Sequence, residues 1–294
     1  MSSQAILQAA LSGFLIGSIY GLIALGLNVI FGTIRVINFA QGSLLMVAMY
    51  SSYWLWALAG VHPYLSPLVS VPLLFVLGYL VQAWLVSPLL ARETAREPMS
   101  ALLLTLGLAL VLDNLALLFF QADFKTVVTP IGTARIRWEG LIISVPRLVG
   151  CGTMVAVASL LWLFFTRTDL GRAIRAVGQD RQVARLLGID DARIYNVAFA
   201  LGTALMGIAG AILVPFYYTD PSIGTTFILK AFVIVVLGGL GSMPGAALGG
   251  VIVGVLEGVI ALYTQAAVAQ VALLGLFVLL LFVRPMGLLG VERK

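Results

Sequence analysis

Long apolar runs, separated by short polar breaks, occupy almost the whole chain. The first run extends from about Ile6 to Phe31, with no charged residue before Arg35, and it exceeds the roughly 20 residues that a helix needs to cross a bilayer. Comparable runs recur along the chain, at about 36–60, 63–90, 100–120, 148–165, 195–218 and 268–283. This pattern predicts an all-α, polytopic membrane helix bundle of about eight or nine transmembrane helices, some of them broken or re-entrant.

The composition indicates a membrane protein and excludes several other classes. The mean hydropathy is +1.10, with 61% hydrophobic and 10% charged residues, whereas soluble domains carry about 25% charged residues. We therefore expect one transmembrane domain, residues 1–294. The chain has one cysteine, one histidine and no GxxxxGK[ST] phosphate loop, so we expect no enzyme, no bound metal and no cofactor of its own. The net charge of +5 follows from membrane topology, and no nucleic-acid partner is expected.

One polar segment, residues 168–193, lies between the apolar runs and is called the island here. Six arginines lie between Arg167 and Arg193, and apolar residues recur at roughly helical spacing, which predicts two short amphipathic helices. The helical pattern is expected to break at three glycines, Gly171, Gly178 and Gly188. Positive charge places the island in the cytoplasm. So structured a loop indicates a docking surface; the alternative is an amphipathic loop that lies on anionic lipid.

The same charge rule orients the remaining chain. Arg284, Arg293 and Lys294 place the C-terminus in the cytoplasm. Because successive spans cross the membrane in alternating directions, residues 121–147 are then expected outside. Short apolar runs within this stretch indicate extended segments or a small hairpin. We expect nine crossings with an external N-terminus. The stretch TDPSIGTTF predicts an external turn, and the segment from Phe232 to Gly241 is short enough to be re-entrant.

Glycines recur four residues apart in three places. This spacing puts them on one helix face, where the backbone of a neighbouring helix can approach closely. The three sets are Gly13, Gly17 and Gly21; Gly241, Gly245 and Gly249; and Gly250, Gly254 and Gly258. They predict tight helix packing near both ends of the chain.

A polar break interrupts the second apolar run at Asn38, Gln41 and Gly42. Irregular backbone at membrane depth is tolerated only inside protein or beside a cavity, so this break and a second one around Gly224 predict a solute path. The alternative for Asn38 is a structural residue that holds two helices together. Two segments also loosely resemble each other, INFAQGSLLMVA and DPSIGTTFILKAFVIVV, as in transporters built from two repeats with interrupted helices.

Three charged residues fall within apolar runs. Asp113 is either functional or close enough to a helix end to reach the interface. Lys230 is expected to reach the interface, and Glu257 lies deeper and is expected to be paired or to line a pathway. An ion-coupled secondary carrier, with Asp113 and Glu257 as coupling residues, therefore remains an alternative to an ATP-driven transporter.

Three stretches carry a more specific resemblance: INFAQG with GSLLMVA, GRAIRAVGQDRQVARLLGID, and KAFVIVVLGGLGSMPGAALGGVIVG. Together they resemble the permease subunits of the branched-chain amino acid ABC transporter family, over nearly the whole chain. The resemblance implies a membrane-spanning subunit of an importer for a small polar solute, such as a branched-chain or related amino acid. Relatives also carry amides, urea and aromatic acids, and the sequence does not select among these solutes.

The resemblance also implies partners and a location. Two such permeases form the membrane core, two ATPase subunits bind beneath them and use the ATP, and an extracytoplasmic binding protein delivers the solute. The complex lies in the bacterial cytoplasmic (inner) membrane, surrounded by lipid. The island is then the segment that couples to the ATPase, through six residues, Arg175, Asp180, Ala184, Leu187, Gly188 and Ile189.

Overall fold

The chain folds almost entirely into helices in a computed structural model, which describes residues 3–92, 99–138, 140–284 and 287–289. The helices are α1 (Ser3–Ile34), α2 (Gln41–Ala59), α3 (Pro67–Val81), α4 (Ser87–Arg92), α5 (Met99–Phe120), α6 (Pro130–Thr133), α7 (Val145–Arg167), α8 (Asp169–Gln179), α9 (Arg181–Leu186), α10 (Asp191–Leu213), α11 (Ile223–Gly238), α12 (Met243–Tyr263) and α13 (Ala266–Val283). A 3-10 turn, Pro63–Leu65, precedes α3, and a π-helical segment, Gln82–Val86, joins α3 to α4. Two of the C-terminal basic residues, Arg293 and Lys294, lie outside the described residues.

Two short strands form the small hairpin that was expected between α5 and α7. They are β1 (Arg135–Trp138) and β2 (Leu141–Ser144), which pair antiparallel with Arg135 opposite Ser144. The hairpin lies at the end of the bundle where α1 begins, because Gln8 donates a hydrogen bond to the Ile142 carbonyl oxygen and accepts one from its N–H, both at 2.8 Å. This end is called the hairpin end, and the opposite one the island end.

Among the described residues, six helical segments are long and apolar enough to cross a membrane, namely α1, α3 with α4, α5, α7, α10 and α12. Helices α11 and α13 are apolar but shorter, and α2 has 19 residues with a polar start. The predicted all-α polytopic membrane bundle is therefore confirmed. In the described part of the chain, six segments have the length and hydropathy of a full span, and α2, α11 and α13 are additional helices that are shorter or less apolar.

Helix α1 lies at the centre of the bundle, with 83% of its apolar window buried. It packs antiparallel on α12 through facing glycines. A Cβ atom added to Gly17 would lie 2.6 Å from the Gly250 carbonyl oxygen, and one added to Gly258 would lie 2.6 Å from the Ala9 oxygen. The two backbones are in direct contact, which confirms the close packing predicted from the first and last glycine sets. In the other set, Gly241 lies in the turn before α12 and not on a helix face.

The turn between α11 and α12 is fixed to α1 by a residue that the sequence reasoning missed. Asn28 donates from Nδ2 to the Ser242 carbonyl oxygen and accepts at Oδ1 from the Gly241 N–H, both at 2.6 Å. Gly241 has a φ of 84°, a conformation that glycine adopts without strain. The amide of Asn28 therefore satisfies two backbone groups of a turn inside the bundle.

The two halves of the bundle have the same arrangement in opposite directions. Helices α1 and α10 are antiparallel, because Ile19 and Ile212 both contact Gly150 while Gly26 contacts Gly202. Helix α12 packs on α1 and α3 packs on α10; α11 lies beside α1 and α2 beside α10. Helix α1 therefore corresponds to α10, α2 to α11 and α3 to α12. When each helix is exchanged with its counterpart, the same helix pairs remain in contact. This agrees with the two repeats indicated by the similar segments.

Helices α2 and α11 both begin inside the bundle. The Nε2 atom of Gln41, the first residue of α2, donates at 2.9 Å to the carbonyl oxygen of Gly202 in the middle of α10. The next residue, Gly42, lies against Gly224, the second residue of α11; a Cβ atom on Gly224 would be 2.6 Å from the Gly42 carbonyl oxygen. The non-helical segments before the two helices thus enter the bundle from opposite ends and meet.

The start of α11 corrects one expectation. TDPSIGTTF was predicted to form an external turn, but residues from Ile223 onward are already helical. Asp220 accepts at Oδ2 from the Ser222 N–H at 3.0 Å, and Pro221 has no N–H that a helix start would leave unpaired. Aspartate and proline, which were interpreted as helix breakers, are therefore also suited to the start of a helix. The segment from Phe232 to Gly241 forms the second half of α11 and the turn that follows.

Candidate functional site: the helix junction, the buried charges and the island

The four residues predicted to lie beside a solute path meet at one place, the contact between the starts of α2 and α11, called the junction here. Asn38 donates from Nδ2 to Gln41 Oε1 at 3.1 Å and accepts at Oδ1 from the Ala40 N–H at 3.0 Å. Both side chains are fully buried. With Gly42 against Gly224, the junction is closely packed.

Asp113 lies on α5, half-buried beside the hydroxyl of Ser43 at the start of α2. Its Oδ1 atom is buried and has no hydrogen-bond partner among the described residues. The next residue, Asn114, is exposed, and its amide donates to the Leu110 carbonyl oxygen at 2.7 Å. Only 17% of the α5 window is buried, and most of its outward side chains are apolar. Asn114 thus interrupts an otherwise apolar outer face, while the Asp113 carboxylate lies on the side of α5 that meets α2.

Lys230 and Glu257 form an ion pair inside the bundle, with Nζ 2.6 Å from Oε1. Nζ also donates to the Tyr20 hydroxyl at 2.9 Å and lies 4.6 Å from the centre of that ring. The expectation that Lys230 reaches the interface is wrong: it is the eighth residue of α11, which starts deep in the bundle, and it is 8% exposed. Glu257 is paired, which is one of the two alternatives stated for it.

The island contains the two short helices that were predicted, α8 and α9. The Thr168 hydroxyl accepts from the Gly171 N–H at 3.0 Å and starts α8. Asp180 accepts from the N–H groups of Gln182 and Val183 at 2.8 and 3.1 Å and starts α9. Side-chain oxygens at these positions satisfy N–H groups that a helix leaves unpaired. The break between the helices therefore lies at Asp180.

Gly171 and Gly178 do not break the island, which corrects their predicted role. Both lie within α8, where they allow close contact with other helices. A Cβ atom on Gly171 would lie 2.6 Å from Phe165 Cα, and one on Gly178 would lie 2.5 Å from the Gly32 carbonyl oxygen. Arg35 also donates to the Gly178 carbonyl oxygen at 3.3 Å. Helix α8 is therefore held against the ends of α1 and α7.

The six predicted coupling residues have different exposures. Ala184 is 2% exposed and packs within the chain, and Ile189 is half-buried. The other four are exposed, namely Arg175, Asp180, Leu187 and Gly188. Leu187 is 74% exposed and its neighbour Leu186, which sequence reasoning missed, is 87% exposed. The end of α9 thus presents two adjacent leucines.

The bend after α9 is fixed by glycine geometry and by charge. Gly188 has a φ of 80°, a left-handed conformation that favours glycine. Arg185 Nη2 lies 2.8 Å from Asp191 Oδ2, and Arg181 contacts the same oxygen. The hydrogen bond and charge of Asp191 raise the pKa of the Arg185 guanidinium above its usual value. These contacts join α9 to the first residue of α10.

These features together define a class, a multi-pass membrane protein with two inverted halves and a structured soluble segment at one end. The family follows from comparison with known proteins. The model of the family described as "Branched-chain amino acid transport system / permease component" matches residues 9–283, and the chain belongs to this family.

Similar curated proteins are related over nearly their full length. The chain is 32% identical to the "High-affinity branched-chain amino acid transport system permease protein BraD" of Pseudomonas aeruginosa, over 97% of this chain and 95% of that protein. It is 30% identical, with the same coverage, to the permease protein LivH of Escherichia coli K12. A "Probable branched-chain amino acid transport permease protein LivH" of Methanocaldococcus jannaschii is 30% identical over 93% of this chain and 89% of that one.

Family membership settles the class of activity. The chain is a permease subunit and a multi-pass protein of the cytoplasmic membrane, not an enzyme. Systems of this family use ATP in separate ATPase subunits and take their solute from a binding protein.

Proposed function

We propose that this chain, with a second permease, two ATPase subunits and an extracytoplasmic binding protein, imports a branched-chain amino acid. The observation that carries the proposal is the similarity over 97% of the chain to permeases named for that solute class. The ion-coupled carrier is not favoured, because these relatives are named as transport-system permeases.

The island end is assigned to the cytoplasm and the hairpin end to the outside. Support comes from the six arginines between Arg167 and Arg193, because basic residues in short loops mark the cytoplasmic side. Arg35, at the end of α1, contacts α8 and adds to the same cluster. The partner ATPase subunits therefore approach the island, and the binding protein approaches the hairpin.

The island is proposed as the coupling segment, residues 168–193. Its tip exposes Leu186 and Leu187, which suit a groove on an ATPase subunit, while the exposed Arg175 and Asp180 flank it with charge. Its other side is held against α1 and α7 through close glycine contacts. A force applied at the tip would therefore move two long helices, one of them at the centre of the bundle.

The solute path is proposed to pass beside the junction of Asn38, Gln41, Gly42 and Gly224. Two interrupted helices start there from opposite directions, as in transporters whose sites lie near the middle of the membrane. Because Gly42 contacts Gly224, the path is closed at this level, and α2 must separate from α11 before solute passes. The outer face of α5, which exposes Asn114, is proposed to face the second permease, since polar groups are costly against lipid.

The coupling proposal is tested with Leu187→Asp. A charge placed at a buried contact should cost roughly 2–4 kcal/mol, or about 30-fold or more in affinity for the ATPase subunits. The variant should reach the membrane but lose the ATPase on purification, or keep it without stimulation by loaded binding protein. Arg193→Ala changes the net charge equally at an exposed position and should have little effect. Normal transport and normal ATPase stimulation in Leu187→Asp would favour a lipid-surface island instead.

A further inference from the structure

Four of the buried polar atoms that have no hydrogen-bond partner among the described residues lie on α2 and on the segment before α11. They are Tyr50 OH, Trp54 Nε1, Thr219 Oγ1 and Asp220 Oδ1, and we call their side chains the outer cluster. Tyr50, Thr219 and Asp220 are 3%, 0% and 7% exposed. A buried polar group without a partner costs about 1–3 kcal/mol, so four in one region need an explanation.

Ring contacts and backbone hydrogen bonds place the four side chains around the end of α5. The Tyr50 ring stacks on Phe120 with centroids 4.3 Å apart, and the Trp54 ring lies 5.8 Å from the same phenylalanine. Phe124, four residues after Phe120, contacts Tyr218 with ring centroids 5.0 Å apart, which places the segment before α11 beside the end of α5. Thr219, next to Asp220, exchanges two backbone hydrogen bonds with Lys125, at 2.8 and 2.9 Å. The outer cluster therefore lies between α2, the end of α5 and the segment before α11.

Asp220 has no cationic partner in the described part of the chain. Its Oδ2 atom accepts from the Ser222 N–H at 3.0 Å and from the Ser222 hydroxyl, while Oδ1 remains free. Lys125, whose backbone bonds to the neighbouring Thr219, pairs instead with Asp123 at 3.1 Å. Burial of an unpaired carboxylate is expensive unless a positive charge meets it. A bound cationic group would supply the missing charge.

We propose that the outer cluster is a solute subsite that receives the ammonium group of an amino acid at Asp220 Oδ1. The aromatic faces of Tyr50 and Trp54 attract a cation as well. The Tyr50 hydroxyl and the Trp54 indole N–H are donors, which suit the carboxylate of the same solute. Unpartnered donors and an unpartnered anionic acceptor in the same region match a zwitterion. The subsite deepens the proposed function, because it rests on a solute that enters from the hairpin end.

The position of the subsite indicates that it binds solute before the junction opens. Asp220 lies four residues before Gly224, so the outer cluster is directly on the outer side of the closed junction. A solute released from the binding protein would be held at Asp220 until α2 and α11 separate. Movement of α11 would then carry Asp220 and its bound ammonium group with it.

The test measures equilibrium binding of radiolabelled leucine to the purified complex of permeases and ATPases in nanodiscs, without binding protein. Saturable binding is expected, displaced by isoamylamine, which is leucine without its carboxylate, better than by 4-methylpentanoate, which lacks the ammonium. Asp220→Asn keeps an oxygen for Ser222 and should weaken leucine binding at least tenfold. Tyr50→Phe should weaken leucine but not isoamylamine. The matched control is Asp123→Asn, which removes an equal charge from an exposed carboxylate.

Three results would overturn the subsite: absence of saturable leucine binding, unchanged binding in Asp220→Asn, or equal losses in Asp220→Asn and Asp123→Asn. Stimulation of the ATPase by loaded binding protein is measured on the same samples. If Asp220→Asn keeps this stimulation and loses leucine binding, both the subsite and the importer assignment are supported. If even the wild-type complex shows no stimulation, the proposed function fails, whatever the binding data show.

Discussion

Breaking the Lys230–Glu257 ion pair should destabilise the bundle far more than breaking an exposed pair. The pair links α11 to α12, and Tyr20 links Lys230 to α1 as well. Glu257→Gln leaves Lys230 charged, 8% exposed and without its counter-ion. Lys230→Met leaves the carboxylate unpaired in the same way. Either variant therefore strands one buried charge.

The expected loss in the free energy of unfolding follows from the burial of the Lys230–Glu257 pair. Removing one partner of a buried pair costs about 3–5 kcal/mol. The side chains are 10% and 22% exposed, and Tyr20 still contacts Lys230, so we expect the lower end, about 3 kcal/mol. At about 2–4 °C per kcal/mol, the unfolding midpoint should fall by about 6–12 °C. In the double variant Lys230→Met/Glu257→Gln no charge is stranded, so most of this loss should disappear.

The assay is thermal unfolding of the purified complex in detergent, with the double variant completing a double-mutant cycle. Asp123→Asn breaks the exposed pair with Lys125, whose carboxylate side chain is 65% exposed, and should cost at most about 1 kcal/mol. The reasoning is refuted if both single variants melt within about 2 °C of wild type, or if the double variant loses as much as the two singles combined.

Two further predictions concern packing and the junction. Gly254→Leu should disrupt the contact of α12 with Gly17 of α1 and reduce the yield of folded protein on size-exclusion chromatography, because overpacking costs about 1–3 kcal/mol or more. Gly275→Leu, where a Cβ atom would meet nothing within 4 Å, should fold normally, and equal yields would contradict the packing argument. Asn38→Leu should lower transport while the ATPase subunits still co-purify; loss of co-purification would instead identify Asn38 as a structural residue.

Patterns within short stretches of sequence predicted the features whose physical cause lies within the same stretch. Apolar run lengths predicted the helices, and the four-residue spacing of Gly13 and Gly17 predicted a backbone contact. The polar stretch after α5 predicted extended segments or a small hairpin, and the structure shows the hairpin. The amphipathic periodicity of the island predicted α8 and α9. In each case the physical cause, such as helical spacing or the length of a bilayer span, acts over a few turns of chain.

The remaining features depend on partners that are distant in sequence. Lys230 was expected at the interface because nothing near it in the sequence reveals Tyr20, 210 positions away. Gly171 and Gly178 were expected to break a helix, since glycine has the same local signature whether it ends a helix or admits a neighbour. The outer cluster escaped notice because Asp220 beside Pro221 has the appearance of a turn. Only the tertiary arrangement shows that its carboxylate is buried.

The glycine contact between α1 and α12 can form only after a delay, because the two helices are synthesised far apart in time. About 240 residues of chain separate Gly17 from Gly254, and a ribosome adding about 5–20 residues per second needs roughly 12–48 seconds to produce them. During that interval α1 is in the membrane with its glycine face open, and Tyr20 still lacks Lys230. The most buried helix is therefore the first to be synthesised and among the last to gain all of its packing contacts. A chain truncated before α12 would retain that open face, and would be a natural substrate for membrane proteases.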